Sequence, residues 1–151
     1  MSSSIDDVRR VVDALRPPAL DELGLVGAVR APGASLACDL RFDVVGPPDP
    51  QRLPAAVETA AYRIAVEVMT NALRHSQGQV CAVSIEVDSR EVRVNVRDDG
   101  IGLDPTKSPD VGLRSMHDCA VEVGGGCRVW SPDGGGTEVA VTLPLDLGAL
   151  R

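Results

Sequence analysis

Apolar and polar positions change period several times along the chain, and each change marks an element. After Ser4, a residue suited to N-capping, Ile5, Val8, Val11, Val12 and Leu15 recur at helical spacing. They predict a first helix that ends at Arg16-Pro17-Pro18. Leu20, Leu23, Leu25 and Val26 predict a second, short helix over Leu20 to Val29, stopped by Ala31-Pro32-Gly33. From Ser35 to Val45 the period drops to two. Leu36, Cys38, Leu40, Phe42 and Val44 point one way and Ala37, Asp39, Arg41 and Asp43 the other, which predicts a half-buried strand. Gly46 to Pro50 reads as a loop. Pro54 opens the longest helical pattern, running to about His75, with Val57, Ala61, Ile64, Ala65, Val68 and Ala72 as its buried stripe. Val80 to Val87 and Glu91 to Val96 alternate as two strands joined by a tight turn at Asp88-Ser89-Arg90. Asp98 to Gly112 has no period and reads as a loop. Leu113, Met116, Ala120 and Val123 predict a further helix, ended by Gly124-Gly125-Gly126. Cys127 to Trp130 and Thr137 to Leu143 predict the last two strands.

The order is α-α-β-α-β-β-loop-α-β-β. Helices do not alternate strictly with strands, so a doubly wound parallel sheet is not expected. The pattern predicts an α+β fold, a two-layer α/β sandwich with a mixed, mostly antiparallel sheet covered on one face by helices. At 151 residues the chain is one domain's worth, and 44% hydrophobic with 25% charged residues supports a core and a soluble surface. No stretch approaches a membrane span, and no leader sequence opens the chain. These features predict a soluble, cytoplasmic domain without direct membrane contact. Net charge is −7, which repels a nucleic-acid backbone, so no nucleic-acid partner is expected. The one lysine, Lys107, lacks the upstream glycines of a P-loop. Cys38, Cys81, Cys119 and Cys127 form no C-x-x-C pair, and His75 and His117 are not spaced to complete a zinc site. Reduced, packed thiols are the expectation.

Three clusters carry candidate chemistry. On the long helix, Glu67, Asn71 and His75 stand at i, i+4 and i+8, with Arg74 beside them. The spacing places them on one exposed ridge opposite the apolar stripe, where oxygen donors and a cation suit a hydrated Mg²⁺ and phosphate. An ordinary solvated helix face is the plainer alternative. Asp98-Asp99-Gly100-Ile101-Gly102 follows a valine-rich strand. Its glycines admit close approach to a flat ligand, and an Asp beside them can accept from an exocyclic amine. Gly134-Gly135-Gly136-Thr137 leads into the last strand, and Gly112-Leu113-Arg114 starts a helix whose free N–H groups favour anions.

Taken together, in this order and spacing, the clusters resemble the boxes of the ATP-binding catalytic domain of two-component sensor histidine kinases. Glu67 to His75 resembles the family's N box, Asp98 to Gly102 the G1 box, Gly112 to Met116 the G2 box, and Gly134 to Thr137 the last glycine box. Leu15 to Leu25, the Gly-Leu-Arg-Ser-Met wording at 112–116 and the short lid at 103–111 resemble the nitrate-sensor-type subfamily. The resemblance covers about Leu15 to Pro144. It implies a Bergerat-type ATP-binding fold, with ATP and Mg²⁺ as substrate and cofactor. By resemblance, Asn71 coordinates Mg²⁺ and Glu67 acts near the γ-phosphate as base or polarising group. Arg74 and His75 lie near phosphate oxygens. Asp98 accepts the adenine amino group, while Gly100, Ile101 and Gly102 line the base. Gly112, Leu113 and Arg114 contact phosphates, and Thr137 supports the adenine site.

The resemblance also implies partners: a dimerisation domain of the same parent protein that carries the phosphoacceptor histidine, and a response regulator. His117-Asp118 mimics the family's acceptor dipeptide but lacks its flanking residues and follows the G2 box. The acceptor is therefore expected outside this chain, and the chain alone is not expected to phosphorylate itself. Residues 1–30 are expected to be the end of a dimerisation helix and its linker, 31–146 the catalytic domain and 147–151 a tail. A serine kinase of the anti-sigma-factor type and a non-enzymatic adaptor of the same fold are the competing readings.

Overall fold

The computed structural model describes residues 18–35, 40–47, 53–76, 78–102 and 111–145. Five strands form one open sheet: β1 (Arg41–Val45), β2 (Val80–Val87), β3 (Glu91–Asp98), β4 (Gly126–Trp130) and β5 (Thr137–Pro144), in the order β1-β2-β3-β5-β4. β1 runs parallel to β2, and the other three pairings are antiparallel. Three helices, α1 (Pro18–Ser35), α2 (Ala55–Asn71) and α3 (Val111–Glu122), complete the second layer. This is the mixed, mostly antiparallel α+β sheet that the alternating runs predict.

The central strands sort their residues cleanly. Cys81, Val83 and Ile85 of β2, Val92, Val94 and Val96 of β3, and Val139, Val141 and Leu143 of β5 are buried. These β-branched and apolar positions are register neighbours, so they tile one continuous apolar face. Ala82, Glu86, Arg93 and Arg97 point the other way and are exposed. α2 and the π turn that follows it (Ala72–Ser76) cover the apolar face with Val57, Ala61, Ile64, Ala65, Val68 and Ala72, the stripe read from the sequence, all of them buried. Met116, Ala120 and Val123 of α3 and Leu20, Leu25, Ala28 and Val29 of α1 join the same core.

Three boundaries differ from the sequence expectation. α1 runs from Pro18 to Ser35, past Ala31-Pro32-Gly33, and is interrupted at Gly24, whose φ of 73° and ψ of 177° are not helical. Ala28 and Val29, directly before the expected stop, are fully buried against the core. Ser35 therefore belongs to the helix, and the described strand that follows starts at Arg41, with Phe42 and Val44 half-buried as expected. β3 extends two residues beyond Val96 to Asp98, because Arg97 and Asp98 still find ladder partners in Glu138 and Thr137. The helix over Ile5 to Leu15, the strand start over 36–39, most of the loop at 46–50, the lid residues 103–110 and the tail at 147–151 lie outside the described residues.

Ile64 is 1% exposed at the centre of the α2 stripe. Ile64→Ala should lower unfolding stability by about 2–5 kcal/mol, read as a reduced midpoint in urea denaturation at unchanged slope.

Candidate functional site

The sheet brings the sequence clusters to one of its ends. β3 finishes at Asp98 where β5 begins at Thr137, and Cys81 near the start of β2 pairs with Asp98 on the other side. α2 ends at Asn71, continues as a π-helical turn over Ala72–Ser76, and leads within a few residues into β2 at Val80. Its C-terminal end therefore lies at the same end of the sheet. α3 finishes at the opposite end, where Gly125 packs against Thr142 and Leu143. Its 12 residues span about 18 Å, which carries its start, with Gly112, Leu113 and Arg114, back toward the Asp98 end. Side-chain positions at 111–115 and at His75 lie outside the described residues.

Asp98 is the buried carboxylate of this end, only 6% exposed. It falls on the helix-facing side of β3, in phase with Val92, Val94 and Val96. Its Oδ1 accepts the Gly100 N–H at 2.9 Å, and the Thr137 N–H also donates to the carboxylate. Burial raises the Asp98 pKa above the ordinary carboxylate value; the two amides oppose that shift and the nearby Asp99 charge adds to it. The turn around it is built by absence of side chains. A Cβ on Gly136, which has a φ of 84°, would strike the Asp98 carbonyl oxygen. One on Gly102, with a φ of 82°, would lie 2.9 Å from the Gly136 carbonyl and 3.0 Å from Ser131 Oγ. The Asp98–Gly102 turn and the Ser131–Gly136 turn are thus in backbone contact. Gly100 and Gly102 are half-buried and Ile101 is 67% exposed, so the isoleucine side chain stands at the rim.

The α2 ridge is placed differently from the sequence expectation. Glu67 and Asn71 are half-buried, not fully exposed, and Arg74 is exposed. At about 100° per residue, Asn71 projects beside Ile64 and flanks the apolar stripe instead of opposing it. After Asn71 the helix widens to a π turn over Ala72–Ser76. Glu67 and Asn71 remain one turn apart and near the site end. Among the described residues no group of three or more His, Cys, Asp or Glu side chains could cage a metal ion. One carboxylate and one carboxamide instead fit a Mg²⁺ held mainly by phosphate oxygens and water.

Sequence reasoning passed over three residues here. Asp99 Oδ1 accepts the N–H groups of Gln79 at 2.7 Å and Val80 at 2.9 Å, and these amides hold its pKa below the usual carboxylate value. Gly78 leaves the space that Asp99 Oδ1 fills. Ser131 abuts Gly102. Asp99 was visible as the second acid of its cluster; Gly78 and Ser131 carried no signal, because their roles depend on segments distant in sequence. The described cysteines are unbridged thiols, as expected. Burial pushes Cys81 up to about 12, with Asp98 and Asp99 adding to the shift, and also raises Cys119 and Cys127.

Residues 56–147 match the family described as histidine kinase-, DNA gyrase B-, and HSP90-like ATPase. The chain is 32% identical to the oxygen sensor histidine kinase NreB of Staphylococcus carnosus, over 96% of this chain and 43% of that protein. It is 30% identical to the signal transduction histidine-protein kinase/phosphatase DegS of Bacillus subtilis, over 87% of this chain and 37% of DegS. The chain thus spans less than half the length of either relative. In fold it is similar to the blue-light activated histidine kinase of Erythrobacter litoralis EL346, with a TM-score of 0.71 and 22% identity over 99% of this chain and 52% of that one. The histidine kinase AdeS of Acinetobacter baumannii gives a TM-score of 0.55 and 20% identity, over 71% of this chain and 54% of that one.

The two adjacent acids should titrate in a set order. Asp98 has a folded pKa above its unfolded value, so its ionised form opposes folding at neutral pH and that cost is relieved as pH falls through the folded pKa. Asp99 has a folded pKa below its unfolded value, so its stabilisation is complete above the unfolded pKa and is lost as pH falls through the folded one. On acidification Asp98 should take up its proton before Asp99, observed by carboxyl-carbon NMR; the reverse order would contradict the burial argument.

Proposed function

We propose that this chain, which belongs to the family of histidine kinase-, DNA gyrase B-, and HSP90-like ATPases, is the catalytic ATP-binding domain of a sensor histidine kinase. It transfers the γ-phosphoryl group of ATP to a histidine on a dimerisation domain outside this chain, for relay to a response regulator. ATP binding follows from the family. The observation that supports the rest best is the buried Asp98 carboxylate. It is held by the Gly100 and Thr137 amides at the end of the sheet where α2 finishes and from which α3 starts. Both curated relatives are named histidine kinases, so the serine-kinase alternative is not favoured.

In this reading Asp98 accepts a hydrogen bond from the adenine amino group. Gly100, Ile101 and Gly102 line the base, and Thr137 supports it. Asn71 would hold Mg²⁺ through its carboxamide oxygen. The ion, when bound, supplies charge neutralisation at the phosphates. Arg74, His75 and Arg114 add positive or polar contacts to phosphate oxygens, and the N–H groups of Gly112 and Leu113 at the start of α3 do the same. Glu67 takes or polarises the proton of the attacking imidazole. A nitrogen–phosphorus bond forms, the bond from the γ-phosphorus to the bridging oxygen breaks, and ADP leaves. Positioning supplies most of the acceleration in such a transfer.

The acceptor histidine belongs to the dimerisation domain. His117 sits exposed on α3, seven residues before Gly124, on the half of the helix away from the phosphate-binding start. Residues 1–30 are proposed as the end of the dimerisation helix and its linker, 31–146 as the catalytic domain and 147–151 as a tail. Leu20, Leu25, Ala28 and Val29 tie the later part of the first segment into the ATPase core. Among the described residues no helix is long and apolar enough to cross a membrane, and we assign the domain to the cytoplasm, where ATP and Mg²⁺ are supplied.

Calorimetric titration with ATP and Mg²⁺ tests the site. Asp98→Asn should weaken ATP binding by about 1.5–3 kcal/mol, the worth of a hydrogen bond to a charged group; unchanged affinity would remove Asp98 from the adenine site. Asn71→Ala should abolish the Mg²⁺-dependent gain in affinity and leave nucleotide binding without metal in place. With a dimerisation domain supplied in trans, phosphate stable to base and labile to acid should appear on that domain, and Glu67→Ala should reduce this transfer more than it reduces ATP binding. Such phosphate on the isolated chain, lost in His117→Gln, would place the acceptor within α3 instead.

A further inference from the structure

We infer that Asp99 is a positioning residue that latches the turn following α2 to the turn that carries Asp98. The β2–β3 ladder ends at the pair Cys81 and Asp98. Beyond that pair the regular ladder stops, and Asp99 carries the join one step further with both its backbone and its side chain. Its Oδ1 accepts the N–H groups of Gln79 and Val80 at 2.7 and 2.9 Å, while its own N–H donates to the Val80 carbonyl at 3.2 Å. Two N–H donors converging on one ionised oxygen make charge-assisted bonds, roughly twice as strong as neutral ones. Gly78 completes the fit: a Cβ there would strike Asp99 Oδ1 and stand 2.8 Å from the Gly100 nitrogen.

The two segments so joined carry the two halves of the site. Upstream of Gly78 lie Asn71 and Arg74 at the end of α2, where the helix loosens into a π turn. Downstream of Asp99 lie Gly100 and Gly102, and directly before it the buried Asp98. The side chain of Asp99 is engaged with the α2–β2 turn, whereas Asp98 is buried on the helix-facing side. Asp99 therefore acts on a ligand only through the positions of its neighbours. It sets the separation between the phosphate-and-metal end of α2 and the turn that holds the base. This inference rests on the ATP-binding reading above.

Three variants and two readouts test it. Amide hydrogen exchange reports the latch itself, and ADP titration reports its consequence. Asp99→Ala should release the protection of the Gln79 and Val80 amides and weaken ADP binding about tenfold, with and without Mg²⁺. Asp99→Asn keeps an acceptor oxygen and should restore most of the protection and bring affinity to within about threefold of the parent. Gly78→Ala keeps the carboxylate but pushes it away, and should mimic Asp99→Ala. A merely structural role would lower thermal stability in all three variants without this pattern of loss and rescue. ADP affinity unchanged in Asp99→Ala, or Gln79 and Val80 amides equally protected in it, overturns the inference. If the parent chain binds no ADP at all, the nucleotide reading fails and the coupling with it, while amide exchange still decides whether the latch exists.

Discussion

A carboxylate buried on the last rung of β3 constrains everything around it. Asp98 is desolvated by the core that also holds Val96 and Cys81, and an ionised group there is costly unless N–H groups meet it. Gly100 and Thr137 supply those groups from two different segments. The chain must therefore turn tightly after Asp98 and must start β5 directly beside it. Gly136 permits that start, since its φ of 84° and the close Asp98 carbonyl leave no room for a side chain. Two glycine-containing turns and one strand junction follow from satisfying a single acid.

The role proposed for Asp98 asks that carboxylate to accept one further hydrogen bond, from a ligand. A buried group held above its ordinary pKa by desolvation is one whose charge a suitable donor stabilises. The base-recognition role proposed for Asp98 uses the same imbalance that makes it unfavourable in the empty fold. Asp99, one residue on, has the opposite environment: exposed, met by two amides and held low. Adjacent acids of identical type thus divide into one that is buried and held above its ordinary pKa and one that is exposed and held below it. The strand alternation that sends neighbouring side chains to opposite sides produces the division.

The other face of the sheet contributes little to the site. Arg93 bridges Glu86, Asp88 and Glu91, and Glu138 accepts from Asn95 and lies 3.9 Å from Arg97. Most of these groups are solvent-exposed, where ion pairs add little stability. They keep that face wet and leave the apolar face as the only one able to take helices. The one-sided sandwich is the consequence, and it concentrates the helix ends that matter at one end of the sheet.

Much of this was legible in the sequence because it depends on local period. The alternation at Val92, Val94 and Val96 names a half-buried strand, and the stripe from Val57 to Ala72 names its covering helix; both are settled by which residues avoid water. Asp98, Gly100 and Gly102 alone read equally as a strand-ending turn, and they stood out through their order and spacing with the other clusters. Tertiary structure alone decided the rest. The run of α1 through Pro32, past a local stop signal, and its break at Gly24 appear only in the folded chain. The half-buried setting of Glu67 and Asn71, and the π turn in which the regular geometry of α2 ends, depend on how α2 sits on the sheet. The contacts of Asp99 with Gln79 and Val80, and of Gly102 with Ser131 and Gly136, join segments about 20 to 34 positions apart. No local pattern encodes such a meeting; it exists only once β3 lies between β2 and β5, so that three distant turns share one end of the sheet.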